Sequence, residues 1–172
     1  MKTRDALEIG TKITAGIHFP GSGNGSWSSI TWDDPETAWS DELLGRLALL
    51  VGQEEVEYAS GYVSIESGIA GDIVVFTARR LIRAKFTAQQ DQGRQRYILD
   101  ATVDAESRSA VQRVSAVKTS AISTDLDEEW PRRSSVTVTL KDGESFALPL
   151  VNRFPAFDDL VVAGFVSTLI EG

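Results

Sequence analysis

A single histidine, His18 between Ile17 and Phe19, is the only imidazole this chain of 172 residues offers for acid–base or metal chemistry. In a strand His18 would face away from both apolar neighbours, which suits a surface or hydrogen-bonded residue better than a ligand or a base. A Ser-His-Asp triad built on it would lack the Gly-x-Ser-x-Gly elbow, which occurs nowhere in the sequence. With no cysteine, thiolate metal sites, thiol nucleophiles and disulfides are excluded, which fits a reducing compartment. The run Gly21-Ser22-Gly23-Asn24-Gly25 has the composition of a phosphate loop. It lacks the Gly-Lys-Ser/Thr ending and leads into Ser26-Trp27-Ser28-Ser29 instead of a helix, so it reads as a flexible turn. Carboxylates cluster at Asp33, Asp34, Glu36, Asp41 and Glu42, and again at Asp125, Asp127, Glu128 and Glu129. The second cluster opens like an EF-hand loop but has no glycine at the sixth position and no glutamate at the twelfth, so solvated carboxylates are the better account. These residues give no catalytic, metal or cofactor site.

The constellation with the most chemistry in it is cationic. Arg79, Arg80, Arg83, Lys85, Arg94 and Arg96 stand close together against the single acid Asp91, a net +5, which leaves −13 on the rest of a chain whose total is −8. If Ile82, Ala84 and Phe86 point into a core, Arg83 and Lys85 point out. If Tyr97, Leu99 and Ala101 point in on the next strand, Arg94 and Arg96 point out beside them. Three accounts fit such a patch: neutralisation by the chain's own acids, an acidic protein partner or neighbouring subunit, or a phosphate-bearing ligand or membrane.

The element that must position this charge is a hairpin. Ile73-Val74-Val75-Phe76-Thr77 is a β-branched and aromatic run, and Leu81, Ile82 and Phe86 begin a second one across Ala78, Arg79 and Arg80. From Glu54 onward the apolar period is two, and strands are predicted over roughly 54–65, 71–78, 80–88, 94–104, 110–118, 134–141 and 144–151. The clearest pair is Val136–Leu140 and Ser145–Leu150, joined through Asp142-Gly143, whose glycine supplies the positive φ of a tight turn. Pro149 marks an edge position near the end of its strand.

Helical spacing bounds this strand set. Ser40 is the expected N-cap of a helix over 40–52, with Leu43, Leu44, Leu47, Leu50 and Val51 on one stripe and Gly52 beyond the last turn. Pro155, then Asp158 and Asp159, open a second helix with Phe157, Leu160, Val161, Phe165 and Leu169 on its apolar face. Residues 1–39 read as an arm: a strand from Glu8 to Phe19, the glycine-serine turn, and a segment holding Trp27, Trp32 and Trp39. These tryptophans carry too much apolar surface to leave in water and are expected against the domain or a neighbouring subunit.

At this length one domain with appendages is the default, and 42% hydrophobic residues suffice for a core. The N-terminus has no apolar signal-like run, and no stretch of about 18 apolar residues could span a bilayer. The expectation is a soluble, cytoplasmic protein. A net charge of −8 opposes non-specific binding to nucleic acid or anionic lipid.

In order and spacing these pieces resemble the bacterial pleckstrin-homology (PH-like) domain family. The resemblance rests on Phe76-Thr77-Ala78-Arg79-Arg80-Leu81-Ile82, on Ser120-Ala121-Ile122 as a connection between strands, on Val138 to Pro149 with its Asp142-Gly143, and on a closing helix from Phe154 to Ile170. It covers residues 53–172 and excludes the arm. It implies an α+β, mainly β fold: a partly open seven-stranded antiparallel barrel capped by a C-terminal helix, serving binding or assembly and not catalysis, with no phosphoinositide site implied. The function expected is a non-enzymatic protein–protein interaction or assembly module, self-association included. It would use the basic hairpin (Arg79, Arg80, Arg83, Lys85, Arg94, Arg96) and the aromatic arm (Trp27, Trp32, Trp39), without cofactor, metal or nucleic acid. The alternative is a module binding anionic lipid or a phosphate ligand through the same cations. A third is a small enzyme with its cleft between arm and barrel.

Overall fold

Ala6, Ile9 and Ile13 recur at intervals of three and four residues, and this spacing makes a helix, α1 (Thr3–Ala15), out of a segment rich in strand-favouring isoleucine and threonine. The computed structural model describes residues 2–18, 38–64, 68–91, 96–119, 134–150 and 165–166. The Lys2 backbone N–H donates to Asp5 Oδ2 (2.9 Å), one half of a capping box that fixes where α1 begins. The expected strand from Glu8 to Phe19 is therefore corrected. Among the described residues of that stretch, Ile17 and His18 are extended, as β1 (Ile17–His18).

The second helix, α2 (Ala38–Val51), starts two residues before the expected 40–52. Ser40 thus lies inside the first turn and fully buried, and Gly52 ends the helix at φ 71° with its N–H on the Ala48 carbonyl.

All seven predicted strands are present: β2 (Val56–Ser64), β3 (Ile69–Thr77), β4 (Arg80–Gln90), β5 (Tyr97–Ser107), β6 (Val111–Thr119), β7 (Ser134–Leu140) and β8 (Ser145–Leu148). They form two sheets, β1-β2-β3-β4-β5 and β6-β7-β8, antiparallel throughout except for the parallel β1–β2 pair. The α+β class holds, and among the described residues no barrel closes. Of the expected C-terminal helix only Phe165 and Val166 are described, both helical. The glycine-serine turn, Trp27, Trp32, Arg94, the acids Asp33 to Glu36 and Asp125 to Glu129, and the connection at Ser120–Ile122 lie outside the described residues.

The chain divides into two compact units, Met1–Arg108 and Ser109–Gly172. In the first, α1 and α2 cover one face of the five-stranded sheet. Ile13, Leu43, Leu47 and Val51 from the helices meet Val63, Ile73, Val75, Ile82 and Phe86 from the strands. The apolar positions of the β3–β4 hairpin thus point at two helices. Both helices contribute side chains to this core. On the other face Tyr58, Val74, Phe76 and Leu81 are buried too, the Tyr58 and Phe76 rings meeting at 6.3 Å.

In the second unit Val136, Val138 and Leu140 alternate inward as expected, with Val136 opposite Leu148 and Val138 opposite Phe146. The turn between them closes as the Asp142-Gly143 pair predicted. Gly143 sits at φ 92°, and Asp142 Oδ1 accepts the Glu144 N–H (2.9 Å).

Candidate functional site

Strand alternation decides which side chains of the hairpin can meet a partner. Ile82, Ala84 and Phe86 face the helices, so Arg83 and Lys85 emerge on the opposite face, as the sequence predicted. Their neighbours differ from the expectation. Antiparallel pairing sets Arg83 opposite Asp104, Lys85 opposite Thr102 and Thr87 opposite Asp100. Arg96, just before β5, lies beyond Gln90 at the far end of β4 and ion-pairs Asp91 at 3.9 Å. Eleven residues of antiparallel strand separate its position from that of Arg80, a span of roughly 35 Å. The expected cluster is hence a line of cations spread along the sheet. The physical reason is that a hairpin reverses the chain, so residues just after the turn adjoin residues just before it.

Acids complete the line. Arg83 Nη2 lies 2.5 Å from Glu106 Oε1. Arg80 pairs with Glu54 (Nε to Oε1, 3.1 Å) and also donates to the Leu50 carbonyl. Glu54 holds the turn itself: its Oε2 accepts the Thr77 hydroxyl at 2.6 Å and the Arg79 N–H at 3.2 Å. Thr77 is fully buried, so Glu54 satisfies a hydroxyl that would otherwise be stranded. Just beyond the turn, Arg108 Nη1 bonds Glu57 Oε2 (2.5 Å) and the Thr77 carbonyl (3.1 Å). Among the described members of the sequence-predicted site, Arg80, Arg83 and Arg96 are paired within the chain, whereas the side chains of Arg79 and Lys85 make no ion pair and are exposed.

Lys85 opens onto a shallow depression of about 410 Å³ on the strand face away from the helices, lined also by Tyr62, Asp72, Thr87, Asp100 and Thr102. Asp72 stands directly opposite Lys85, but its Oδ2 accepts the Tyr62 hydroxyl at 2.7 Å. That bond, then burial and the negative charge of Asp72, raise the Tyr62 phenol above the ordinary tyrosine value. A phenol held neutral in this way serves as a donor and not as a base near neutral pH. What the depression offers is one ammonium, carboxylates and two threonine hydroxyls, a mixed polar surface suited to recognition. A second hollow of about 430 Å³ lies along α1, where Asp5, Glu8, Glu54 and Glu55 surround Lys12, which pairs with Glu55 at 2.9 Å. Among the described residues no three His, Asp or Glu side chains converge to hold a metal ion, and no helix is long and apolar enough to cross a membrane.

The raised phenol has a measurable consequence. Because the neutral form is favoured in the folded protein, the Tyr62–Asp72 bond stabilises the fold at pH below the unfolded tyrosine value of about 10 and ceases to as pH rises through the higher folded value. Absorbance titration should show a late tyrosine step belonging to Tyr62. Asp72→Asn should bring that step down.

Trp39 is 3% exposed and stacks on Phe86, with ring centroids 5.6 Å apart and planes at 24°. It therefore belongs to the first unit's core and is not a partner-facing aromatic. Its spacing of four from Leu43 and Leu47 was the signal for this. The acids Asp100, Asp104 and Glu106, which decide the charge of the hairpin face, were missed because they lie just beyond the basic window, although they alternate along β5. The Tyr62–Asp72 pair joins residues of neighbouring strands and has no local signature. Comparison of the chain with family models, curated proteins and solved structures finds no match in any of the three.

Proposed function

We propose that the protein is a non-catalytic, cytoplasmic module that works through protein–protein contact, self-association included, and that its architecture is PH-like. The observation that carries the reading is the charge of the exposed hairpin face. Arg83 and Lys85 stand there among Asp72, Asp100, Asp104 and Glu106, so the face presents paired, mixed-sign polar groups and not a positive field. Such a face suits a protein surface with its own mixture of charges, and it disfavours a phosphate or an anionic membrane, which needs concentrated cations. The PH-like part of the proposal draws support from seven antiparallel strands in unbroken chain order, β2 to β5 and then β6 to β8.

The test sets vesicles against self-association. Co-sedimentation with phosphatidylserine vesicles at low salt should leave the protein in the supernatant. Salt-sensitive pelleting that Arg83→Glu abolishes would replace this reading with the anionic-lipid one.

A further inference from the structure

The five-stranded sheet ends on one side in β1, two residues long, and on the other in β5, eleven residues long. Among the described residues no strand pairs with the outer edge of β5. A long open edge is a template for another strand. The hydrogen bonds fix which groups it presents. The Arg108 N–H reaches the Arg79 carbonyl (2.7 Å) and the Arg96 carbonyl accepts from Asp91 N–H (2.9 Å), so even-numbered residues bond towards β4. Odd-numbered residues therefore turn their N–H and C=O outward, and the Ala101 carbonyl does so visibly, accepting from Arg46 Nη1 of α2 at 3.1 Å. That carbonyl keeps a second lone pair.

Resting on the self-association reading above, we propose that β5 pairs antiparallel with β5 of a second copy of this chain, with Ala101 on the two-fold axis, so that two five-stranded sheets join edge to edge. Side-chain charge favours this register over those centred on Asp100, Thr102 and Val103. With Ala101 opposite itself, Leu99 faces Val103 and Tyr97 faces Ala105 as hydrogen-bonded pairs. On the exposed face Asp100 meets Thr102, Ile98 meets Asp104, and Arg96 meets Glu106, once on each side of the axis. No two acids stand directly opposite each other, and Arg96 is brought opposite Glu106 at both ends, where it can join the Arg83–Glu106 pair. The registers centred on Asp100, Thr102 and Val103 fail on charge: centring on Thr102 opposes Asp100 to Asp104 twice, centring on Asp100 opposes that residue to itself, and centring on Val103 opposes Asp100 to Glu106. The pairing also covers Ile98, which is 54% exposed in the single chain.

Because the chain has no cysteine, introduced thiols report the register cleanly. In the proposed pairing two Ala101 positions lie about 5.5 Å apart and Asp100 lies about 4.5 Å from Thr102 of the other copy, both within disulfide reach, whereas two Thr102 positions lie about 7–8 Å apart, beyond it. Under a mild oxidant, Ala101→Cys should give a covalent dimer, Thr102→Cys alone should not, and a mixture of the exposed-face variants Asp100→Cys and Thr102→Cys should. The mixture guards against a fold defect at Ala101. If unmodified chain sediments as a dimer while neither Ala101→Cys nor the mixture cross-links, edge pairing is overturned and self-association stands. Cross-linking by Thr102→Cys alone would overturn the register. A chain that stays monomeric at every concentration overturns the pairing and self-association together.

Discussion

Replacing Trp39 with alanine is expected to destabilise the protein by about 3–5 kcal/mol, the range for deleting a large aromatic from a packed core. Trp39 opens the buried stripe of α2, followed by Leu43 and Leu47 at intervals of four, and its ring lies on Phe86 of β4. Removing it takes away the stacking contact and leaves a void where α2 meets the central strands, and the helix cannot settle into that void without moving Leu43, which is fully buried. Urea denaturation followed by far-ultraviolet circular dichroism measures the change. If Trp39 instead faced a partner, the isolated variant would denature at the same urea concentration as the parent.

The second large effect is at a residue with no side chain. A Cβ on Gly71 would fall 2.2 Å from the Tyr62 carbonyl oxygen and 2.7 Å from Cζ of Phe86. The Tyr62 oxygen belongs to the neighbouring strand β2, so the contact cannot be relieved by a rotamer change. The β2–β3 pairing would have to open, or Phe86 would have to leave Trp39. Gly71→Ala is therefore expected to cost about 3 kcal/mol or more, at the upper end of the penalty for overpacking a core. Thermal denaturation checks this against Gly143→Ala, where the positive φ is the only obstacle and no atom lies within 4 Å. Equal losses for the two variants would contradict the packing argument.

These two sites also indicate what the sequence could and could not disclose. Strands such as β4 and β7 were legible because their apolar side chains alternate with period two, β3 because its β-branched run Ile73–Phe76 is buried on both faces, and the Asp142-Gly143 turn because its chemistry is local. The helix α1 was hidden because isoleucine and threonine favour strands intrinsically, whereas the interval of four between Ile9 and Ile13 is what packing against α2 and β2 rewards. Tertiary burial outweighs propensities worth only tenths of a kcal/mol per residue. Trp39 was assigned to the arm because α2 was expected to start at residue 40, two residues later than it does. That boundary error moved a core residue to the surface.

The candidate site was only half visible. The outward direction of Arg83 and Lys85 followed from alternation alone. Their neighbours depended on register, which a hairpin sets through a turn whose residues carry little sequence signal, and reversal of the chain placed Asp104 and Glu106 where Arg94 and Arg96 were expected. Glu54, which ties the β3–β4 turn through Thr77, Arg79 and Arg80, is 25 residues away from Arg79 in the chain, a separation at which no local pattern operates.

Self-association can be measured on the chain as it stands, and truncation at Ser40 is no substitute, because it would remove α1 and Trp39 from the core. The most direct measurement is sedimentation equilibrium of the full 18.7 kDa chain across a wide concentration range. The expected result is a concentration-dependent rise from the monomer mass to twice that value. A single species at the monomer mass throughout would contradict the account.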